Sequence, residues 1–161
     1  MQKNMWKFTH LPFLLLAGVF SVNFAQNVNA TSTTTLTVVV DGINNQNGEI
    51  CMGVYSSSKG FPFDTNRVIK SACVKPTGST VTHVFSGLQA GNYAVAVVDD
   101  QNGDRKLNKD FLGIPKEGFG VSQNPTVSIF TGAPSFQDAS FFLAPNQNTT
   151  INISMKYSLD S

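Results

Sequence analysis

Charge is scarce in this chain. Only 13% of its 161 residues are Asp, Glu, Lys or Arg, with 11 basic side chains against 10 acidic ones. No stretch concentrates the basic residues into a stripe that could neutralise phosphates, which argues against nucleic acid or an anionic membrane surface as partner. Cysteine and histidine are scarcer still, at two each. Beyond residue 30 the sole histidine is His83, and two cysteines without a histidine cluster cannot build a tetrahedral zinc site. Apolar runs are also missing after residue 20, so nothing there reaches the roughly 20 residues that a membrane-spanning helix needs.

The N-terminus is a leader. Met1–His10 carries Lys3 and Lys7 and no acid, Leu11–Phe20 (LPFLLLAGVF) is apolar, and a polar tail ends in Val28-Asn29-Ala30. That order is a secretory signal peptide over residues 1–30, cleaved after Ala30. The mature domain would be 31–161, with nine basic and ten acidic residues and a net charge near −1. One domain of this size can bury a real core. In an exported protein, Cys51 and Cys73 are most simply a disulfide; two buried free thiols are the other reading.

The mature chain then reads as short strands between turn residues, with no convincing helix. Leu36, Val38 and Val40 alternate with Thr37, Val39 and Asp41, which predicts a strand with one better-buried face. Ile50, Met52 and Val54 share a side opposite Cys51, Gly53 and Tyr55. Val68–Lys75 and Thr80–Phe85 read as two strands around a turn at Pro76-Thr77-Gly78. Tyr93–Val98 (YAVAVV) is apolar on both faces, as a central strand would be. Phe141–Leu143 and Thr150–Tyr157 complete the set, with Ile151, Ile153, Met155 and Tyr157 on one face. Six or seven such strands predict an all-β sandwich.

The long gap between the strands ending at Val98 and starting at Phe141 needs its own organiser, because structureless loops beyond about 12–15 residues are uncommon. Asp100, Asn102 and Asp104 take the first, third and fifth places of an EF-hand-like count. Lys106 would offer its carbonyl, and Asn108 and Asp110 complete a candidate Ca2+ set. Against it, Arg105 stands where the sharp turn takes glycine, and Phe111 where the bidentate glutamate belongs. Asp and Asn also build turns without metal, and that self-satisfied loop is the preferred reading. Ca2+ is the only cofactor the residues suggest.

Further residues carry a resemblance. Phe85, Leu88, Gly91, Tyr93, Ala94 and Val95 form one block, and Leu112, Gly113, Pro115, Glu117, Gly118, Gly120 and Ser122 form another, with Gln123 before Asn124. Pro134-Ser135-Phe136, Asp138-Ala139 and Phe141 follow. These blocks closely resemble the DUF2141 family, exported bacterial proteins of unassigned function. The resemblance implies a transthyretin- or prealbumin-like Greek-key sandwich of about seven strands and a periplasmic or secreted location. It brings no reaction with it. Asn108 departs from the aspartate usual in the family's loop. The Gly113–Ser122 signature reads as a rigid cover on the sandwich, pinned by Phe111, Ile114 and Phe119, or alternatively as a ligand-binding loop.

Catalysis finds little support in these residues. Ser122 in Gly118-Phe119-Gly120-Val121-Ser122 is not a nucleophile elbow, and His83, alternating with Val81 and Phe85, reads as a half-buried strand residue. Transthyretin-like enzymes that hydrolyse hydroxyisourate use several histidines and a C-terminal Tyr-Arg-Gly-Ser, whereas this chain ends Lys156-Tyr157-Ser158-Leu159-Asp160-Ser161. The acids cluster on one loop rather than flanking a cleft. The expectation is a non-enzymatic exported module that binds a protein or envelope ligand or serves an envelope assembly; a Ca2+-stabilised domain is the alternative and a hydrolase the third reading. Phe61 and Phe63 are candidate contacts, or core plugs. The triplets at Asn148 and Asn152 match glycosylation acceptors, a match common by chance.

Overall fold

Period-two alternation places the core on the inner faces of two sheets. The computed structural model describes residues 34–44, 46–128 and 130–159, and the leader expected over 1–30 lies outside them. The strands are β1 (Thr34–Asp41), β2 (Glu49–Tyr55), β3 (Lys70–Val74), β4 (Val81–Leu88), β5 (Gly91–Asp100), β6 (Phe119–Val121), β7 (Phe141–Leu143) and β8 (Thr149–Ser154). One sheet has the order β4-β1-β8. The other runs β3-β2-β5, with β6 and β7 end to end along the far side of β5, against Ala96–Val98 and Gly91–Tyr93 respectively. Most neighbours are antiparallel, but β1 and β8 are parallel, Leu36 facing Thr149 and Val40 facing Ile153.

Leu36, Val38 and Val40 of β1, Ile50 and Val54 of β2, Val95 of β5, Leu143 of β7 and Ile153 of β8 are all fully buried in one cluster spanning both sheets. Their burial is the dominant stabilising term, at about 1.5–3 kcal/mol for each large side chain. The pairings β1–β4 and β2–β5 each enclose two intervening strands, one of them from the other pairing, the interleaving of a Greek key. The all-β sandwich is as expected. Two details differ from the sequence reading. β3 and β4 are not a hairpin, because the chain crosses between layers after Val74. A single helical turn, α1 (Phe136–Ala139), also forms, held by a capping box between Ser135 and Asp138. Among the described residues no helix is long and apolar enough to cross a membrane.

Cys51 and Cys73 are direct partners across β2 and β3 and are joined by a disulfide with an S–S distance of 2.06 Å. Strand register thus supplies the approach that spacing alone could not show. Because the bond restrains an edge strand, the Cys51→Ala/Cys73→Ala protein should unfold in urea with a loss of about 2–4 kcal/mol. An unchanged midpoint would mean that the ladder alone holds β3.

Candidate functional site

The end of β5 decides where the long loop goes. Tyr93, Val95 and Val97 face the core, so alternation sends Asp99 inward and Asp100 to the outer face. Both carboxylates are buried, at 0% and 2% exposure, and buried acids persist only when their oxygens are hydrogen-bonded. Asp99 Oδ2 accepts from the Tyr157 hydroxyl at 2.8 Å. Asp100 accepts from the backbone N–H groups of Gly103 and Arg105, each at 2.8 Å. Asp99 had no place among the candidates from sequence, although its parity in an apolar strand was the available signal.

The candidate metal ligands divide into two groups. Asn102, Asp104 and Asn108 come together: Asn108 Nδ2 donates to Asp104 at 2.9 Å, and Asn102 Nδ2 donates to Asn108 Oδ1 at 2.8 Å. Asn108, first, and then the Lys106 backbone N–H hold the Asp104 carboxyl below its usual range. Asp110 lies apart, closing the turn of a small hairpin by accepting from Leu112 and Ile114, each at 2.9 Å. Arg105 adopts φ 59° where calcium loops place glycine. Glu117 was outside the candidate metal set, yet it joins loop to hairpin by accepting from Gln101 N–H at 3.2 Å and Asn108 N–H at 2.9 Å. Among the described residues, Glu49, Cys51 and Cys73 form a tight group of metal-capable side chains, but their sulfurs are consumed by the disulfide.

The glycine-rich signature is built into the sandwich. Glu117, Gly118, Phe119, Gly120, Val121 and Ser122 are all buried, and Phe119–Val121 are β6, a strand missed from sequence. Side chains on Gly118 or Gly120 would collide with the Tyr157 ring or with Ile153, the latter at 2.7 Å. Ser122 sits where the edge of β5 changes from β7 to β6; its hydroxyl accepts the Val95 N–H at 2.9 Å and donates to Ala139 O at 2.5 Å. Asn124 reaches the other sheet, donating to Asn152 O and accepting from Ser154 N–H along β8. Gly113 closes the exposed hairpin turn through its N–H to Asp110 O, and Pro115 bridges back to Lys109. Of the expected pins, Phe119 is buried and Ile114 half-buried, but Phe111 is 94% exposed. The hairpin carries it away from the core.

A groove of about 850 Å³ lies over the outer face of the five-stranded sheet. Its floor includes Gly53, Ser71, Ala96, Val98 and the Cys51–Cys73 bridge. Small residues make that floor low, while loop residues raise its walls: Pro62 and Phe63; Lys109 and Leu112 to Pro115; and Val127, Ser128 and Gly132 to Pro134. Phe61 is a plug, edge-on to Tyr55 at 5.2 Å and to Phe136 at 5.9 Å. Phe63 is 47% exposed at the mouth, with Lys109 Nζ 3.6 Å from its ring centre. His83 and Glu117 do not line this groove. His83 instead lies against Phe85 on β4.

Fold and site define an all-β sandwich domain whose polar loop and glycine-rich segment frame an open groove over one sheet. Over residues 38–152 the chain matches the family described as uncharacterized protein conserved in bacteria (DUF2141), and it belongs to that family. Neither a curated protein nor a solved structure matches it.

Removing the Ser122 hydroxyl leaves the Val95 N–H and the Ala139 carbonyl without their buried partner. Ser122→Ala should therefore cost about 1–3 kcal/mol in denaturant unfolding; a neutral effect would mean that the β6–β7 break needs no bridge. Burial, chiefly, and the Asp99 carboxylate raise the Tyr157 phenol from 10.0 to about 12. Between these values the unfolded chain loses its phenol proton while the folded one keeps it, so stability falls as pH rises. Melting temperature should drop as pH goes from 10 through 12, and less steeply in Tyr157→Phe. An identical slope in both proteins would remove Tyr157 from the linkage.

Proposed function

We propose that the protein is an exported bacterial binding or accessory module, not an enzyme, and that it takes up its ligand in the groove over the five-stranded sheet. The observation that carries this reading is the groove itself: about 850 Å³, inside the 300–1,000 Å³ or so typical of small-ligand sites. The groove joins an apolar floor to walls that the polar loop and the signature segment hold in place. Export is supported by the leader-like N-terminus and by the disulfide, which suits an oxidising compartment.

A non-catalytic role is supported by where the reactive side chains lie. Ser122 is fully buried and spends its hydroxyl on a backbone carbonyl, while His83 is on the opposite sheet, paired with Val38. In this proposal Asp100, Asn102, Asp104, Asn108 and Asp110 serve as a self-satisfied brace behind the groove, holding the loop whose Arg105, Lys106 and Lys109 line it, with Ca2+ binding at that loop as the competing reading.

Nile red, a neutral apolar dye, tests the groove. It should bind the wild-type protein with blue-shifted emission, and Ala96→Trp, which fills the floor, should weaken binding by about tenfold or more, equivalent to about 1.4 kcal/mol. Ser71→Trp, at an exposed floor position, should do the same without touching the core. Undiminished binding in both variants would place the ligand elsewhere.

A further inference from the structure

We infer that the groove takes a single-chain amphiphile with an anionic head, bound as a monomer. This rests on the groove reading above and adds the chemistry of the ligand. Three cations, Arg105, Lys106 and Lys109, line the groove against one acid, Glu49. None of the three closes an ion pair among the described residues. Lys106 leans electrostatically on Asp104, which leaves Arg105 and Lys109 as the principal charges. Lys109 is positioned by the Phe63 ring face rather than neutralised by a carboxylate. Arg105 occupies a left-handed position, φ 59°, where a side chain costs more than glycine would. Asp100 holds its N–H there at 2.8 Å.

Beside these charges the lining turns apolar. Leu112 is 68% exposed and Phe63 47%, and both lead onto the Ala96 and Val98 floor. An alkyl chain laid on that floor would bury its methylenes, each contributing about 0.8 kcal/mol, while its head reached the cations. An extended peptide suits the site less well. The floor is a sheet face, and the β3-β2-β5-β6 ladder bonds run within the sheet, so a ligand laid on that face meets side chains and not a pairing edge; the free edge of β3 lies to its side.

Titration calorimetry with dodecanoate, dodecanol and dodecyltrimethylammonium, each kept below micelle formation, tests the head-group requirement. Dodecanoate should bind about tenfold or more tightly than dodecanol, with the cationic analogue weakest, and added salt should narrow the difference. In Arg105→Gly/Lys109→Met the preference for dodecanoate should shrink to about twofold or less, with Nile red binding retained, because glycine suits the left-handed position and methionine keeps an apolar stem. Equal binding of acid and alcohol, or a preference that survives the double substitution, overturns the anionic-head inference and leaves the groove standing. Nile red binding without either amphiphile does the same. Failure of Nile red and all three amphiphiles overturns both.

Discussion

Two consecutive carboxylates at the end of the central strand constrain everything that follows it. Strand geometry turns Asp99 to the core and Asp100 to the outer face, and burial obliges each to find donors. Asp99 takes the Tyr157 hydroxyl, which ties the segment after β8 to the middle of the other sheet. Asp100 takes two backbone N–H groups from its own loop and thereby bends that loop back over the sheet edge. A buried charge left unpaired would be expensive, so the two sites are obligatory anchors rather than decorations of a turn.

From these anchors the family signature becomes intelligible as construction. Glu117 extends the carboxylate logic by clamping Gln101 and Asn108. Gly118 and Gly120 allow the chain to pass beneath Tyr157 and Ile153, Ser122 fills the break in the edge of β5, and Asn124 pairs with the backbone of β8 as a neighbouring strand would. Of these residues only Gly120 lines the groove; the others brace the segment that carries it. The segment's composition thus follows from how it is packed into the sandwich beside the groove.

Much of the sandwich was legible because strict alternation survives in its long strands. Leu36, Val38 and Val40, and likewise Ile50, Met52 and Val54, face the core as read, and Phe141–Leu143 is a strand at those same residues. β6 escaped notice because its three residues include a glycine and owe their strand state to pairing with β5, not to propensity. Phe111 was misplaced because composition cannot say which side of a hairpin faces out. The groove was illegible for a similar reason. Its floor depends on Gly53 and Ala96 standing side by side across β2 and β5, and its walls on loops as far apart in the chain as Pro62 and Pro134.

The central claim is that the chain's own side chains, not a bound cation, hold the polar loop in place. Amide hydrogen exchange measured in EDTA and again in millimolar Ca2+ addresses it most directly. The amides of Gly103, Arg105, Asn108 and Ile114, each donating to Asp100, Glu117 or Asp110, should be equally protected in both. Protection that appears only with Ca2+ would contradict the claim and return the function to the loop.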